Sequence, residues 1–417
     1  MARGGSLGVP VERGADMNPP SFRATVTALA AGQLLCWAAL YYTFSSFVLP
    51  MQRAFGWSKP QMMGAFTLGL AVWGAATYAV GAAIDHGRGR AVMGYGALLA
   101  GAGFLGWSQV NSLPALYAAW AVLGASMAMT LYEPAFNVLT KRFPQRYLQG
   151  ITALTLVGGF ASTLSFPAAA GLLALFDWRG ALAAIGAVLI FGVAPLHAWA
   201  LRGTPQRAVV PAAHDRARGK DDQKADDATL HQALREPSFW LLTATFTLYS
   251  FAAAALWAHM MPAFTAKGRS EAQALAVVVW FGPAQVAGRL AYVGFGRWLS
   301  SRKLGLMVLG GLPVSLTIFA LADQTAALLI FAALFGVANG LVTIVRGGLV
   351  PEYFGREHVG RISGAMSGIS LFARATAPLA TAWLLLAVAG YREMLLVLAA
   401  VGLAALVAFA FAKRPGR

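Results

Sequence analysis

The chain has 417 residues, of which 58% are hydrophobic and only 12% are charged, and its mean hydropathy is +0.62. Because soluble domains carry about 25% charged residues, this composition excludes an ordinary soluble protein and indicates an integral membrane protein. The net charge is +16, and Cys36 is the only cysteine, which excludes an internal disulfide bond and a cysteine metal cluster.

Twelve hydrophobic segments follow one another along the chain, and most exceed the ~20 residues that a helix needs to cross a bilayer. Helices are required because every backbone amide in lipid must be satisfied within its own segment. The segments that we predict, numbered 1 to 12 in chain order, are 24–49, 60–84, 90–109, 112–140, 147–173, 178–201, 237–265, 271–298, 303–321, 325–353, 357–387 and 390–412. The sequence therefore predicts an all-α membrane protein with twelve transmembrane helices.

One long polar stretch, 202–236, divides the segments six and six, and it holds seven Lys or Arg and six acidic residues. We predict that it is a flexible cytoplasmic linker between bundles at 24–201 and 237–413, and that residues 1–23 form a disordered cytoplasmic terminus. With both termini cytoplasmic, 23 of the 32 Lys and Arg lie inside, six lie outside and three lie within segments. This asymmetry predicts the orientation by the positive-inside rule, so the basic excess reflects topology and not nucleic-acid binding.

The two halves resemble each other weakly at a spacing of 212 to 213 residues. Three places match at this spacing, at equivalent points of the predicted topology: 56–61 with 268–273, 178–182 with 391–395, and Glu133 with Arg346. A six-helix unit followed by a copy in the same orientation is the parallel repeat found in transporters.

The turn between segments 2 and 3 carries a short motif, in which Gly81 is followed by Asp85 and then by Gly89-Arg90. With this motif the chain resembles the major facilitator superfamily outside 1–23 and 202–236, although Gly89-Arg90 comes one residue later than in the common pattern. The resemblance implies two pseudo-symmetric six-helix bundles that form a monomer. Asp85 at its helix end can pair with arginines across the turn, such as Arg90, and so latch the cytoplasmic face.

Three arginines lie inside segments 8, 10 and 11, namely Arg289, Arg346 and Arg374. Each costs roughly 2.5–3.5 kcal/mol at the bilayer centre, so we expect them to face a polar pathway that holds something negative. Arg374 ends a helical stripe that contains Ser370, and on segment 1 Tyr41 lies on an amphipathic face.

Segment 8 places Gln285 one helical turn before Arg289. This resembles the monocarboxylate-transporter branch, whose segment-8 arginine contacts the substrate carboxylate, but that branch usually has an Asp where this chain has Gln285.

Segment 10 adds Asn339 to the polar face of Arg346, and segment 4 carries Glu133. Two interpretations of Glu133 stay open. It is either a proton carrier, because a carboxyl in a low-dielectric cavity has a raised pKa, or the partner of Arg346 in an ion pair that closes the cytoplasmic gate.

These residues favour a secondary transporter of the bacterial inner membrane that moves a small organic anion by alternating access, coupled to protons. An exporter of a drug, a siderophore or another amphiphile in the same fold is the alternative, and a receptor without transport is a third hypothesis. The sequence has no Gly-rich phosphate loop and no metal-ligand spacing, so we expect no cofactor, no metal, no nucleic acid and no enzymatic activity.

Overall fold

A computed structural model describes residues 19–203 and 227–415. Over these ranges the chain is helical and without strands, and twelve helices are long and apolar enough to cross a membrane, which confirms the predicted fold class. Their bounds are α1 (Phe22–Phe55), α2 (Lys59–Asp85), α3 (Gly89–Ser108), α4 (Leu113–Arg142), α5 (Tyr147–Leu175), α6 (Trp178–Ala200), α7 (Pro237–Ala266), α8 (Glu271–Phe295), α9 (Ser301–Leu321), α10 (Thr325–Phe354), α11 (Val359–Ala387) and α12 (Tyr391–Phe411).

Five of these helices are irregular within the span. Helices α1 and α6 contain π-turns at Ala38–Tyr42 and Val188–Val193. The regular hydrogen bonding of α4, α5 and α8 is interrupted at Leu131, at 159–160 and at 279–280. In α8 the interruption comes just before Pro283, because a proline has no N–H to bond the carbonyl four residues earlier. Irregular backbone inside a membrane is tolerated where it is covered by protein or lines a cavity.

The hydrophobic cores follow the two halves of the chain. One core cluster joins buried side chains between Ala228 and Ala412, and the other two lie between Val26 and Leu201, with Leu371 as their only member from the second half among the described residues. Each half thus packs mainly on itself, so contacts between the halves can change without opening a core.

The ordered structure extends further than predicted at both polar segments. Helix α1 begins at Phe22 because Ser21 caps it by accepting a hydrogen bond from the Ala24 N–H. Within the predicted linker, Ala228 is fully buried and a short helix, Leu230–Arg235, starts with a capping box. The remainder of the predicted linker, 204–226, and most of the predicted terminus lie outside the described residues.

The two halves meet at the face that holds the start of α1 and the end of α12, which we call the terminal face; the opposite side is the far face. Here α2 crosses α11 so closely that a Cβ added at Gly81 would lie 1.9 Å from the Gly360 carbonyl oxygen. One helical turn deeper, the Thr77 hydroxyl donates to the Gly364 carbonyl at 3.0 Å. Glycine at both crossing positions is what permits this approach.

Towards the far face, the side chains of α5 and α11 become more exposed. The part of α5 near the terminal face buries Tyr147, Ile151 and Leu154, whereas in its far part Phe166 is 49% and Leu175 is 77% exposed. Helix α11 shows the same contrast, since its first turns are buried and its last turns carry the exposed side chains Leu379, Trp383 and Leu386. We infer that the two halves are closed at the terminal face and open at the far face.

Candidate functional site

The three interior arginines project from α8, α10 and α11 at the boundary between the halves. Arg289 is only 4% exposed, while Arg346 and Arg374 are partly exposed. Arg346 lies within electrostatic range of both Glu133 and Arg374. The structure thus gathers these side chains into one region of positive charge.

Arg374 on α11 reaches across to α1. Its Nη2 donates a hydrogen bond of 2.6 Å to the Tyr41 hydroxyl, and its Cζ lies 5.1 Å from the centroid of the Tyr41 ring. The neighbouring Tyr42 lies within electrostatic range of Arg374 and Arg289. The two tyrosines therefore bring α1 of the first half to two of the arginines of the second half.

The backbone that carries Tyr41 is a π-turn, and the Ala38 carbonyl at its start accepts hydrogen bonds from two hydroxyl groups. Thr43 donates to this carbonyl at 2.9 Å, and Ser165 on α5 donates to it at 2.8 Å. These bonds satisfy the buried carbonyl and tie the π-turn to α5. Such turns often occur at functional sites.

The polar stripe of α11 contacts a different helix at each step. Ser370 shares a hydrogen bond of 3.2 Å with Thr247 on α7, and Ser367 accepts a short hydrogen bond from Nη2 of Arg346 on α10. Because the hydroxyl of Ser370 also donates to a carbonyl of its own helix, it is already engaged in this conformation. The predicted stripe therefore connects several helices, and it meets the first half both at Arg374 and at Ser363, whose hydroxyl donates to Asn137 Oδ1 at 3.1 Å.

Arg289 is held on one side only. Its Nε donates to the Gly340 carbonyl on α10 at 3.1 Å, whereas its Nη1 is buried without any hydrogen-bond partner. That nitrogen rests against α5, where a Cβ added at Gly159 would lie 2.0 Å from it. An unpaired guanidinium nitrogen in a buried place is costly unless a ligand or a conformational change provides a partner.

The interruption of α5 lies between two polar side chains. A Cβ at Gly158 would approach the Tyr132 hydroxyl to 2.5 Å, as one at Gly159 would approach Arg289. Tyr132 on α4 also packs against Trp37 on α1, with ring centroids 4.9 Å apart. The glycine pair thus separates an aromatic group of the first half from an arginine of the second half.

Glu133 lies just after the interruption of α4, in the first turn of the half-helix Tyr132–Arg142. Gln33 on α1 donates to the Thr130 carbonyl at 2.7 Å and so satisfies part of the interrupted backbone. The Oε2 atom of Glu133 is buried without a hydrogen-bond partner. No salt bridge within 4.0 Å joins Glu133 and Arg346 in the described part of the chain, although the two interact electrostatically.

Gln285 and Asn339 lie where α8 and α10 cross. A Cβ at Gly340 would lie 2.8 Å from the Gln285 carbonyl oxygen, so the backbones nearly touch. The side chains of Gln285 and Asn339 are partly buried, and both belong to helices that carry an interior arginine.

Asp85 has partners other than the arginines that we expected. Its Oδ1 lies 3.1 Å from Nζ of Lys141, and its two oxygens accept hydrogen bonds from the backbone N–H groups of Gly360 (3.0 Å) and Arg361 (2.8 Å). The predicted pairing with an arginine across the turn is therefore wrong for this conformation. Arg90 is exposed on the first turn of α3, because the turn directs Asp85 towards the start of α11.

Several residues of this region escaped the sequence analysis as site residues. The glycine pair Gly158-Gly159 is not among the predicted site residues, because a glycine does not indicate which side chain will lie beside it. Tyr132 and Tyr42 looked like ordinary aromatic residues of apolar segments. Lys141 lay among the basic residues that indicate topology. Nothing in the linear pattern placed it against Asp85.

Comparison with known proteins identifies the same architecture. A model of a protein family described as Major Facilitator Superfamily matches residues 29–322. The match with the crystal structure of the human organic anion transporter MFSD10 (TETRAN) covers 94% of this chain and 100% of that transporter, with a TM-score of 0.70 and 17% sequence identity. The match with the crystal structure of the transporter FucP in its outward conformation covers 94% of this chain and 100% of FucP, with a TM-score of 0.70 and 11% sequence identity.

A variant of the E. coli fucose:proton symporter FucP gives a similar result, at 13% identity with 94% and 98% coverage and a TM-score of 0.70. No curated protein matches the chain in sequence. Identities this low make the fold the common property of these proteins. The chemistry of the site depends on its own residues.

Proposed function

Because the chain belongs to the major facilitator superfamily, we propose that it is a secondary active transporter that moves a small, monocarboxylate-like organic anion by alternating access. The observation that carries this proposal is the buried, unpartnered Nη1 of Arg289. A guanidinium group offers several donors in one plane, the geometry that a carboxylate accepts. The human transporter MFSD10, an organic anion transporter by description, supports the substrate class by analogy of fold alone.

The charge balance of the region supports an anionic substrate. Arg289, Arg346 and Arg374 face one interior acid, Glu133, so two cations are uncompensated when the carboxylate is ionised. Each buried cation costs roughly 2.5–3.5 kcal/mol in the membrane, and an anion between them offsets part of that cost. We therefore propose that Arg289 and Arg374 bind the carboxylate of the substrate. Arg346 adds long-range attraction for the same anion.

The remaining predicted residues complete the binding region. Tyr41 orients Arg374 through its hydroxyl. We propose that Gln285 and Asn339 contribute polar contacts to the body of the substrate, because they lie on helices that carry an interior arginine. Ser370, whose hydroxyl is hydrogen-bonded in this conformation, would contribute after that hydroxyl is released.

The two arginines serve different conformations in this proposal. Arg374 is partly exposed in the conformation that opens to the far face, whereas Arg289 lies beneath Gly159. Rocking of the halves would withdraw α5 from Arg289 and free its Nη1. The anion would bind Arg374 when the protein is open to the far face. It would bind Arg289 once the terminal face has opened, and leave from there.

Proton coupling fits the position of Glu133. Its Oε2 is buried without a hydrogen-bond partner, so this atom is free to take part in an exchange of partners during transport. An anion that approaches Arg346 and Arg374 competes with Glu133 for the same positive field. We propose that substrate and proton therefore enter together, with Glu133 as the proton carrier and not as a permanent ion-pair partner of Arg346.

The orientation in the bilayer follows the basic residues. The terminal face carries most of the Lys and Arg outside the spans, so we assign it to the cytoplasm of a bacterial cell and both termini with it. The conformation described above is then the outward-open one.

Transport assays with purified protein in liposomes test the proposal. We expect counterflow of a labelled monocarboxylate with the wild-type protein and a loss of at least about a hundredfold with Arg374→Ala or Arg289→Ala, because a charge-assisted contact in a desolvated site is removed. Arg392→Ala is the matched control, since it removes one exposed arginine outside the interior. Undiminished transport by both interior variants would refute the anion assignment.

An exporter of a larger amphiphile is the second candidate. The aromatic face of α1 and α4 favours it, because Trp37 contacts Tyr41 and Tyr132 at centroid distances of 5.4 and 4.9 Å. Cells that lack the gene would separate the two functions. Sensitivity to drugs or metabolites indicates export, while failure to grow on an organic acid indicates uptake.

A further inference from the structure

The loop between α10 and α11, residues 355–358, is held from two opposite sides, and we call it the gate loop. From the first half, Nζ of Lys141 donates to the Glu357 carbonyl at 2.6 Å. Just beyond the loop, Asp85 accepts from the backbone N–H groups of Gly360 and Arg361. These contacts close the terminal face, and they require the gate loop to present its carbonyl and amide groups in one fixed arrangement.

The second side is held by Asp227, which directly follows the undescribed part of the segment between the two halves. Its Oδ1 accepts from the backbone N–H of Arg356 at 2.6 Å and from that of Glu357 at 3.4 Å. The adjacent Ala228 N–H donates to the Phe354 carbonyl at 2.9 Å. Both sides therefore hold the same residue, since the Glu357 N–H donates to Asp227 and the Glu357 carbonyl accepts from Lys141.

The shape of the gate loop is built around this carboxylate. Gly355 has φ +81, and a Cβ at that position would lie 1.9 Å from the Asp227 Oδ1. On the other flank, the capping box of Thr229 and Gln232 starts the short helix Leu230–Arg235, which buries Ala233. Asp227 is therefore anchored to the second half independently of the first half.

We propose that Asp227 is a positioning residue for the gate, which keeps the gate loop in the arrangement that Asp85 and Lys141 recognise. Because Asp227 belongs to the same half as the loop, its hydrogen bonds persist when the halves separate at the terminal face. The gate loop then keeps the conformation that Asp85 and Lys141 bind when the terminal face closes again. Without the carboxylate the gate loop would be more flexible while the terminal face is open. Each closure would then have to order the loop, and the loss of its conformational entropy would oppose closure. The segment that joins the halves thereby influences the balance between conformations.

Spin labels on Gln145 and Lys303, two exposed positions near the terminal face on opposite halves, test the proposal in a Cys36→Ser background. We expect Asp227→Asn to raise the ratio of long to short distances by about threefold to tenfold, because the asparagine keeps an oxygen acceptor but loses the charge that strengthens these hydrogen bonds. Asp177→Asn is the matched control. It also removes a carboxylate that accepts a backbone N–H, at 2.7 Å from Gly180, but on the far face.

A double variant separates positioning from a general loss of stability. If Asp227 acts through the contacts of Asp85, Asp227→Asn should change the distances little in an Asp85→Asn background. Hydrogen exchange of peptides that cover 354–362 gives a second readout, and we expect faster exchange in Asp227→Asn than in wild type. Distances and exchange equal to wild type, or effects of the two variants that simply add, would overturn the proposal.

Discussion

The hydroxyl of Tyr41 on α1 and the guanidinium of Arg374 on α11 lie 2.6 Å apart, although 333 positions separate them in the chain. The bond joins the two halves at the edge of the region that opens to the far face. A cation in this place is both an attraction for an anion and a contact between the halves. The substrate and the conformational balance therefore depend on the same side chain.

Tyr41→Phe should weaken substrate binding without abolishing transport. The ring and its cation–π contact remain, but Arg374 loses the acceptor that orients it. One neutral-to-charged hydrogen bond corresponds to about 1.5–3 kcal/mol, so we expect KM for the anion to rise by at least about tenfold with kcat nearly unchanged. Initial rates of uptake into liposomes over a range of substrate concentrations give both constants. A fall in kcat with unchanged KM would assign Tyr41 to the conformational change instead.

Gly159→Ala should displace Arg289 and disturb closure at the terminal face. The new methyl group would lie 2.0 Å from Nη1, so either the arginine or α5 must move. Gly171→Ala on the same helix is the matched control, because no atom lies within 4 Å of a Cβ there. We expect a transport loss of about tenfold or more for Gly159→Ala and close to wild-type rates for Gly171→Ala. Equal behaviour of the two variants would show that α5 does not press on Arg289.

Replacement of the basic residues near Asp85 should distinguish its true partner. Lys141→Ala removes the ion pair at 3.1 Å and the bond to Glu357, so we expect the population closed at the terminal face to fall. Arg90→Ala should have the smaller effect, since that side chain is exposed on α3. Distances between labels on the two halves give the populations. A larger effect from Arg90→Ala would restore the arginine latch that the sequence predicts.

The far face carries an ion pair that should make a small, pH-dependent contribution to stability. Nζ of Lys267 donates to Asp323 at 3.0 Å, and this hydrogen bond, with the charge of Lys267, lowers the pKa of the Asp323 carboxyl. A lowered pKa means that the stabilisation is complete above the pKa of the unfolded chain and is lost as the pH falls through the folded pKa. Unfolding temperatures of wild type and Asp323→Asn should therefore converge only in acid. The difference should be small because Asp323 is exposed to solvent.

The sequence by itself determined the class of structure. Twelve apolar segments in a lipid solvent permit only helices, because each backbone amide must be satisfied locally, and the predicted spans agree with the observed helices to within a few residues at most ends. The largest error was at segment 1, predicted to end at 49. There α1 continues past Pro50 to Phe55, until Gly56 with φ +69 caps it.

The sequence also identified the interior charges, because an arginine in an apolar segment stands out against its neighbours. It could not determine what each arginine contacts. Arg289 against Gly159, Asp85 beside Lys141 and Asp227 beneath the gate loop are all contacts between distant parts of the chain.

Such contacts depend on how closely particular helices approach, and close approach is decided by glycines that carry no chemical signal of their own. The periodicity of one helix reveals which face is polar, since that is a local property. Only the packing of twelve helices decides which polar faces meet, because a shift of one helical turn brings a different set of side chains together.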